Sequence, residues 1–173
     1  MLQRVFWEAN KRKISVVMDA DALNLLTKLK LSAKLPKNLI MTPHPGEASR
    51  LLGKSIDEIE SNRFEAVSLL QKKFNCVVVL KGSGSLVCYS KGGKQEIGIC
   101  EAGNPGMASG GMGDILTGII AGFLAQGLSL IEAAELGVDI HAKAADLKSL
   151  DTGEAGLLAS DVLEELRQLL KYE

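Results

Sequence analysis

An α/β domain, with a mostly parallel sheet flanked by helices, is the fold class this sequence predicts, on three observations. Short β-branched apolar runs at residues 14–18, 39–41 and 76–80 alternate with segments of helical periodicity. The runs stop at polar or turn-forming residues, as strands do at the carboxyl edge of such a sheet. The last third of the chain carries helical periodicity almost throughout. A chain of 173 residues suits one domain, and no repeat, low-complexity segment or linker divides residues 1–173.

Each element follows from its own residues. Leu2, Val5, Phe6 and Ala9 recur at helical spacing with Lys and Arg between them, which predicts an amphipathic helix over 2–12. Ile14-Ser15-Val16-Val17-Met18 reads as a strand ending at Asp19-Ala20-Asp21. Leu39-Ile40-Met41 is a second, ending in Thr42-Pro43-His44-Pro45-Gly46-Glu47. Pro45 suits a first helical position for the turn carrying Ala48, Leu51 and Leu52, and Gly53 closes that helix. Ser55-Ile56-Asp57-Glu58 has the form of a capping box. Phe64, Val67, Leu70 and Phe74 predict one buried stripe on a helix over 62–74. Cys76-Val77-Val78-Val79-Leu80 is apolar throughout, a strand buried on both faces. Residues 86–89 and 96–99 predict an antiparallel pair joined at Gly92-Gly93. Helices follow over 108–125, 130–147 and 157–170, the last entered through Ser160-Asp161.

Composition excludes several function classes. Twenty basic against 21 acidic residues leave a net charge of −1, without the basic excess of a nucleic-acid footprint. No apolar run reaches the roughly 18 residues of a membrane span. Cys76, Cys88 and Cys100 are odd in number and lack CxxC spacing, so neither a disulfide framework nor a zinc site is expected. Cys76 and Cys88 lie in or beside strands, as buried thiols do. The first residues lack the apolar core and cleavage site of a secretory signal, and together with the cysteines they predict a cytoplasmic protein.

Eighteen glycines against four prolines make the chemistry legible, because much of the glycine is clustered. Gly103-Asn104-Pro105-Gly106-Met107-Ala108-Ser109-Gly110-Gly111-Met112-Gly113 holds five glycines in eleven residues and runs into a helix. Gly110, Gly111, Met112 and Gly113 would point free N–H groups, backed by the helix dipole, at one anion. Asp114 directly after them is either a proton acceptor for an attacking hydroxyl or a helix cap beside glycines that only allow close packing. Lys81-Gly82-Ser83-Gly84-Ser85 follows a buried strand and is either a second phosphate contact or the start of a hairpin; the order of a Walker loop is absent. His44, held between two prolines past a strand end, is a candidate substrate contact or a structural residue. Glu47 favours the first helical turn through the dipole. Asp19, Asp21 and Asn24 offer a metal or substrate contact, or cap a local turn. His141 lies on an apolar helix face as a packed histidine. Neither histidine has a Ser or Cys partner at motif spacing, which disfavours triad hydrolysis.

Taken together, Asp19-Ala20-Asp21-Ala22-Leu23-Asn24, Thr42-Pro43-His44-Pro45-Gly46-Glu47, Lys81-Gly82-Ser83-Gly84 and the run from Asn104 to Asp114 resemble the ADP- or ATP-dependent NAD(P)H-hydrate dehydratases. These are members of the ribokinase-like superfamily. The resemblance covers nearly the whole chain, and the His-Pro-Gly-Glu element separates the dehydratases from the superfamily's small-molecule kinases. It implies a carbon–oxygen lyase that returns the S-form of hydrated NADH or NADPH to NADH or NADPH. Lys81, Gly82, Ser83, Gly84, Ser85 and Gly113 would hold the adenine nucleotide, ADP or ATP, with Mg²⁺. His44 and Asp114 would contact the hydrated dinucleotide, and Asp114 would be catalytic. A homo-oligomer is expected.

The family's domain normally begins well before the segment matching residues 2–19, so the chain is expected to be amino-terminally truncated, a partial domain with an open sheet edge. Two other readings follow: a small-molecule kinase of the same superfamily, and a non-catalytic nucleotide-binding fragment.

Overall fold

The computed structural model describes residues 1–28 and 35–171. Five strands form one sheet in the order β1-β2-β3-β4-β5: Val16–Met18, Leu39–Met41, Val77–Leu80, Ser85–Lys91 and Lys94–Cys100. The first three run parallel, with Val17 opposite Ile40 and Met41 opposite Val78. The last two are the expected antiparallel pair, turning at Gly92 and Gly93, whose positive φ of 58° and 80° fits a tight hairpin. The sheet is therefore mixed.

Alternation along the strands divides the core into two layers. Met18, Leu39, Met41, Val78, Leu80, Leu86 and Cys88 face one side. There they pack against α1 (Leu2–Arg12), α2 (Ala20–Lys28), α3 (Pro45–Leu52), α4 (Ile56–Ser61) and α5 (Arg63–Phe74). Ile40, Val77, Val79, Val87 and Tyr89 face the other, against α6 (Met112–Ala125) and α7 (Leu130–Thr152). Gly137 lets those two helices approach closely, since a Cβ there would stand 2.6 Å from Ile120 Cγ1. The last helix, α8 (Ala159–Leu169), closes a smaller cluster through Val162, with Leu157, Met112 and Ala144.

Caps account for the helix boundaries. The Ser55 hydroxyl accepts from Glu58 N, and Glu58 Oε2 accepts from Ser55 N at 2.7 Å, the reciprocal box expected. Gly53 ends α3 at φ 70°. Asp161 stands at the third position of α8, its Oδ2 accepting from Leu158 N at 2.9 Å, so the helix starts at Ala159 rather than at 157 and its cap is Leu158, ahead of Ser160. The glycine-rich run forms a 3₁₀ turn at Pro105–Ala108 before α6 begins, and α7 continues five residues past 147 to Thr152.

Phe64 departs from the predicted stripe. The buried face of α5 runs through Ala66, Val67, Leu70, Gln71 and Phe74, and Phe64 is 54% exposed. At 3.6 residues per turn Phe64 falls about a quarter turn from the line of Val67, Leu70 and Phe74. Cys76 and Cys88 are buried as expected, and burial pushes their thiols up to about 12 and about 11. Among the described residues, no helix is long and apolar enough to cross a membrane.

Candidate active site

Three parallel strands end at one edge, and the backbone keeps them in register beyond their last residues. Thr42 N donates to Met18 O at 3.0 Å, and Lys81 N donates to Pro43 O at 2.9 Å. Thr42, fully buried, also donates its hydroxyl to Met18 O. Asp19, His44 and Lys81 thus emerge side by side from the carboxyl edge, where open α/β sheets bind ligands.

The His-Pro-Gly-Glu element is a rigid device for presenting an imidazole. His44 is the N-cap of α3, and its Nδ1 accepts from Gly46 N at 3.0 Å. A neutral ring that accepts at Nδ1 carries its proton on Nε2. Glu47 Oε2 accepts from His44 N at 2.9 Å, while Oε1 lies 3.5 Å from Nε2. A Cβ at Gly46 would stand 2.9 Å from His44 Cε1, so the absence of a side chain there lets the ring lie against the turn. Glu47 is buried and His44 half exposed, so the carboxylate anchors and the ring faces outward.

Lys81 is engaged from two sides. Its Nζ donates to Asp19 Oδ1 at 2.6 Å and lies 3.9 Å from Glu47 Oε2. Asp19 Oδ2 accepts from Thr117 Oγ1 at 3.1 Å, which brings α6 to the strand ends. A Cβ at Gly113 would lie 3.2 Å from Lys81 Nζ and 3.5 Å from Asp19 Oδ2, so the first turn of α6 sits directly over the ion pair.

Gly111 is the N-cap of α6, at φ 89°, and no side chain caps this helix. Asp114 therefore does not cap it; it stands in the first turn, exposed, beside N–H groups that have no partner within the helix. Upstream, Asp146 of α7 anchors the loop, accepting from Gly103 N at 2.8 Å and from Asn104 Nδ2 at 2.9 Å.

Of the early acidic cluster, only Asp19 joins the site. Asn24 Oδ1 accepts from Arg50 Nε at 2.8 Å and ties α2 to α3, while Asp21 is exposed in the first turn of α2. His141 is buried, and burial lowers its pKa to about 4, as befits a packed neutral ring. Among the described residues no group of three or more His, Cys, Asp or Glu is arranged to hold a metal ion.

Arg63, not singled out from sequence, organises the loop over residues 81–85. Its Nη1 donates to Ser83 O and its Nη2 to Leu80 O at 3.3 Å. Gly82 bends at φ 147° directly against it, a Cβ there falling 2.9 Å from Nη2. The signal available was its place: a cation in the first turn of a helix opposes the dipole and needs another reason to be there. Thr117 was legible only as a residue one helical turn from Gly113.

The sequence profile of NAD(P)H-hydrate dehydratases matches residues 1–168. The chain belongs to the NAD(P)H-hydrate dehydratase family. It is 49% identical over 168 residues to the bifunctional NAD(P)H-hydrate repair enzyme Nnr of Vibrio cholerae, covering 97% of this chain and 33% of that protein. The ADP/ATP-dependent NAD(P)H-hydrate dehydratase of Bacillus subtilis, co-crystallised with ATP/Mg²⁺, superposes with a TM-score of 0.80 at 30% identity, over 90% of this chain and 53% of that one. A ribokinase-like superfamily protein of Enterococcus faecalis gives 0.79 at 28% identity, over 96% and 57%. The fold is thus the ribokinase-like one. The chain spans about a third of the Vibrio relative and about half of each solved structure.

Proposed function

We propose that this chain carries the nucleotide and catalytic elements of an ADP- or ATP-dependent dehydratase that restores hydrated NADH or NADPH, in the S-form, to the reduced cofactor. The observation that carries the reading is the exposed Asp114 carboxylate beside the uncapped first turn of α6, set over Lys81 and Asp19 on the sheet edge that also presents His44. Family membership adds the chemistry: a hydroxyl on the nicotinamide ring is the group to be removed.

Hydroxide is a poor leaving group and phosphate a good one, which gives a lyase a use for a kinase fold. Asp114 takes the proton from the C6 hydroxyl as its oxygen forms a bond to the terminal phosphorus of the nucleotide, and the bond from that phosphorus to the nucleotide breaks. The N–H groups of Gly110, Gly111, Met112 and Gly113 hold the charge on the transferring group. The ring nitrogen's lone pair then expels phosphate from C6, and loss of a proton from C5 restores the dihydronicotinamide. His44 orients the dinucleotide through its outward ring, and the loop over Lys81, Gly82, Ser83, Gly84 and Ser85 receives the nucleotide.

No protein cage for a metal exists among the described residues, and this donor set suits a Mg²⁺ held mainly by the nucleotide's phosphate oxygens. The ion would neutralise phosphate charge when bound.

Hydrated NADH incubated with ADP, and separately with ATP, tests the reading. Recovery of NADH absorbance with release of phosphate is the expected result. A stable phosphorylated product from another alcohol would favour a kinase, and binding of nucleotide with no recovery a fragment needing a complement. Sedimentation of the purified chain tests the proposed homo-oligomer.

A further inference from the structure

We propose that Asp19 is a positioning residue for phosphoryl transfer, tying the first turns of α6 to the sheet edge so that the N–H groups at 110–113 meet the nucleotide's terminal phosphate in a fixed place. The inference rests on the nucleotide-dependent reading above and deepens it. Asp19 spends its two oxygens on two elements: Oδ1 receives Lys81 Nζ from the end of β3, and Oδ2 receives the Thr117 hydroxyl from α6. Its side chain is 10% exposed, so neither contact is a loose surface pairing.

The backbone is shaped to the same end. Ala22 N donates to Asp19 O at 3.1 Å, and Ala20 between them sits at φ 47°, a left-handed conformation unfavourable for a residue with a Cβ. Strain of this kind persists where the surroundings over-determine it. It turns the strand end so that the carboxylate lies beneath Gly113, where a Cβ would stand 3.5 Å from Asp19 Oδ2 and press on Lys81 Nζ at 3.2 Å. Glu47 also lies within reach of Lys81, at 3.9 Å. Without the Asp19 charge, the ammonium is drawn toward α3 and away from the turn it supports.

Three variants of the full chain separate this role from general stability. Asp19→Asn keeps shape and removes charge, Thr117→Val removes only the hydroxyl, and Thr117→Ser returns it. Calorimetric titration with ADP and with AMP in Mg²⁺ compares two nucleotides that differ by the terminal phosphate. The first two variants should lose about tenfold in ADP affinity and none in AMP affinity, the size expected of one charge-assisted hydrogen bond. Turnover of hydrated NADH should fall roughly 10–100-fold in kcat with its KM unchanged, and Thr117→Ser should recover both.

Equal losses for AMP and ADP, an unchanged ratio in both variants, or a wild-type chain that does not distinguish the two nucleotides overturns the proposal. If Asp19→Asn does not fold, the Thr117 pair decides by the same ratio. A wild-type chain that prefers ADP yet never converts hydrated NADH defeats the dehydratase reading alone, and the affinity ratio still tests Asp19.

Discussion

Lys81 Nζ and Asp19 Oδ1 lie 2.6 Å apart although they stand at the ends of β3 and β1, which are separated in the sheet by β2. The pair crosses the end of the central parallel strand and closes the floor of the site. Because both side chains are largely buried, removing either partner leaves a charge with little water to solvate it.

Replacing Asp114 by Asn keeps size and polarity and removes the proton acceptor. Turnover of hydrated NADH should be abolished while calorimetric ADP affinity stays within about twofold, since the backbone donors are untouched. Undiminished turnover would remove Asp114 from the mechanism.

Gly46→Ala should act on the imidazole. Its Cβ would meet His44 Cε1 at 2.9 Å, and the half-exposed ring can yield only by rotating off Gly46 N. The KM for hydrated NADH should rise about tenfold, one hydrogen-bonded contact's worth, with ADP affinity and thermal midpoint nearly unchanged. Steady-state kinetics at saturating nucleotide measure this; an unchanged KM would leave His44 without a substrate role.

Arg63→Met should loosen the loop that follows β3. Two carbonyls, of Leu80 and Ser83, lose a charged donor. For a partly exposed group the expected loss is about 1–2 kcal/mol, read from the urea midpoint. ADP affinity should fall with it, and Arg63→Lys should not restore it, because one ammonium does not reproduce the fork that spans both carbonyls.

Acid should expose His141. Its pKa is lowered by burial from 6.5 to about 4, so below pH 6.5 the unfolded chain binds a proton that the folded chain refuses. The stability associated with a neutral His141 is fully present above pH 6.5 and is lost as pH falls toward 4. Its full extent is about 3 kcal/mol. Urea midpoints measured across that window should fall more steeply for the wild type than for His141→Gln, which cannot take up the proton. Parallel curves would mean that the ring is solvated in the native state.

Caps and turns closed by near neighbours are legible in the sequence. Ser55 and Glu58 are three residues apart and close their box without outside help, and Gly53 supplies its own left-handed turn. The valine run before Lys81 needs both faces covered, whatever covers them. Phe64 was misplaced because a spacing of three residues tolerates a drift that only the neighbouring sheet resolves. Asp114 kept two readings in the sequence, cap or base, and the structure removes the first by placing Gly111 at the cap.

By itself, the order of residues determined the strands, most of the helix boundaries, the glycine-rich turn before α6 and the family-defining motifs, since each depends on neighbours within a turn or two. Only the tertiary structure decided what Asp19 touches. Its partners Lys81 and Thr117 lie 62 and 98 positions away, and no periodicity reaches so far. They meet because parallel pairing aligns the strand ends and the α6–α7 packing lays a glycine over the ion pair.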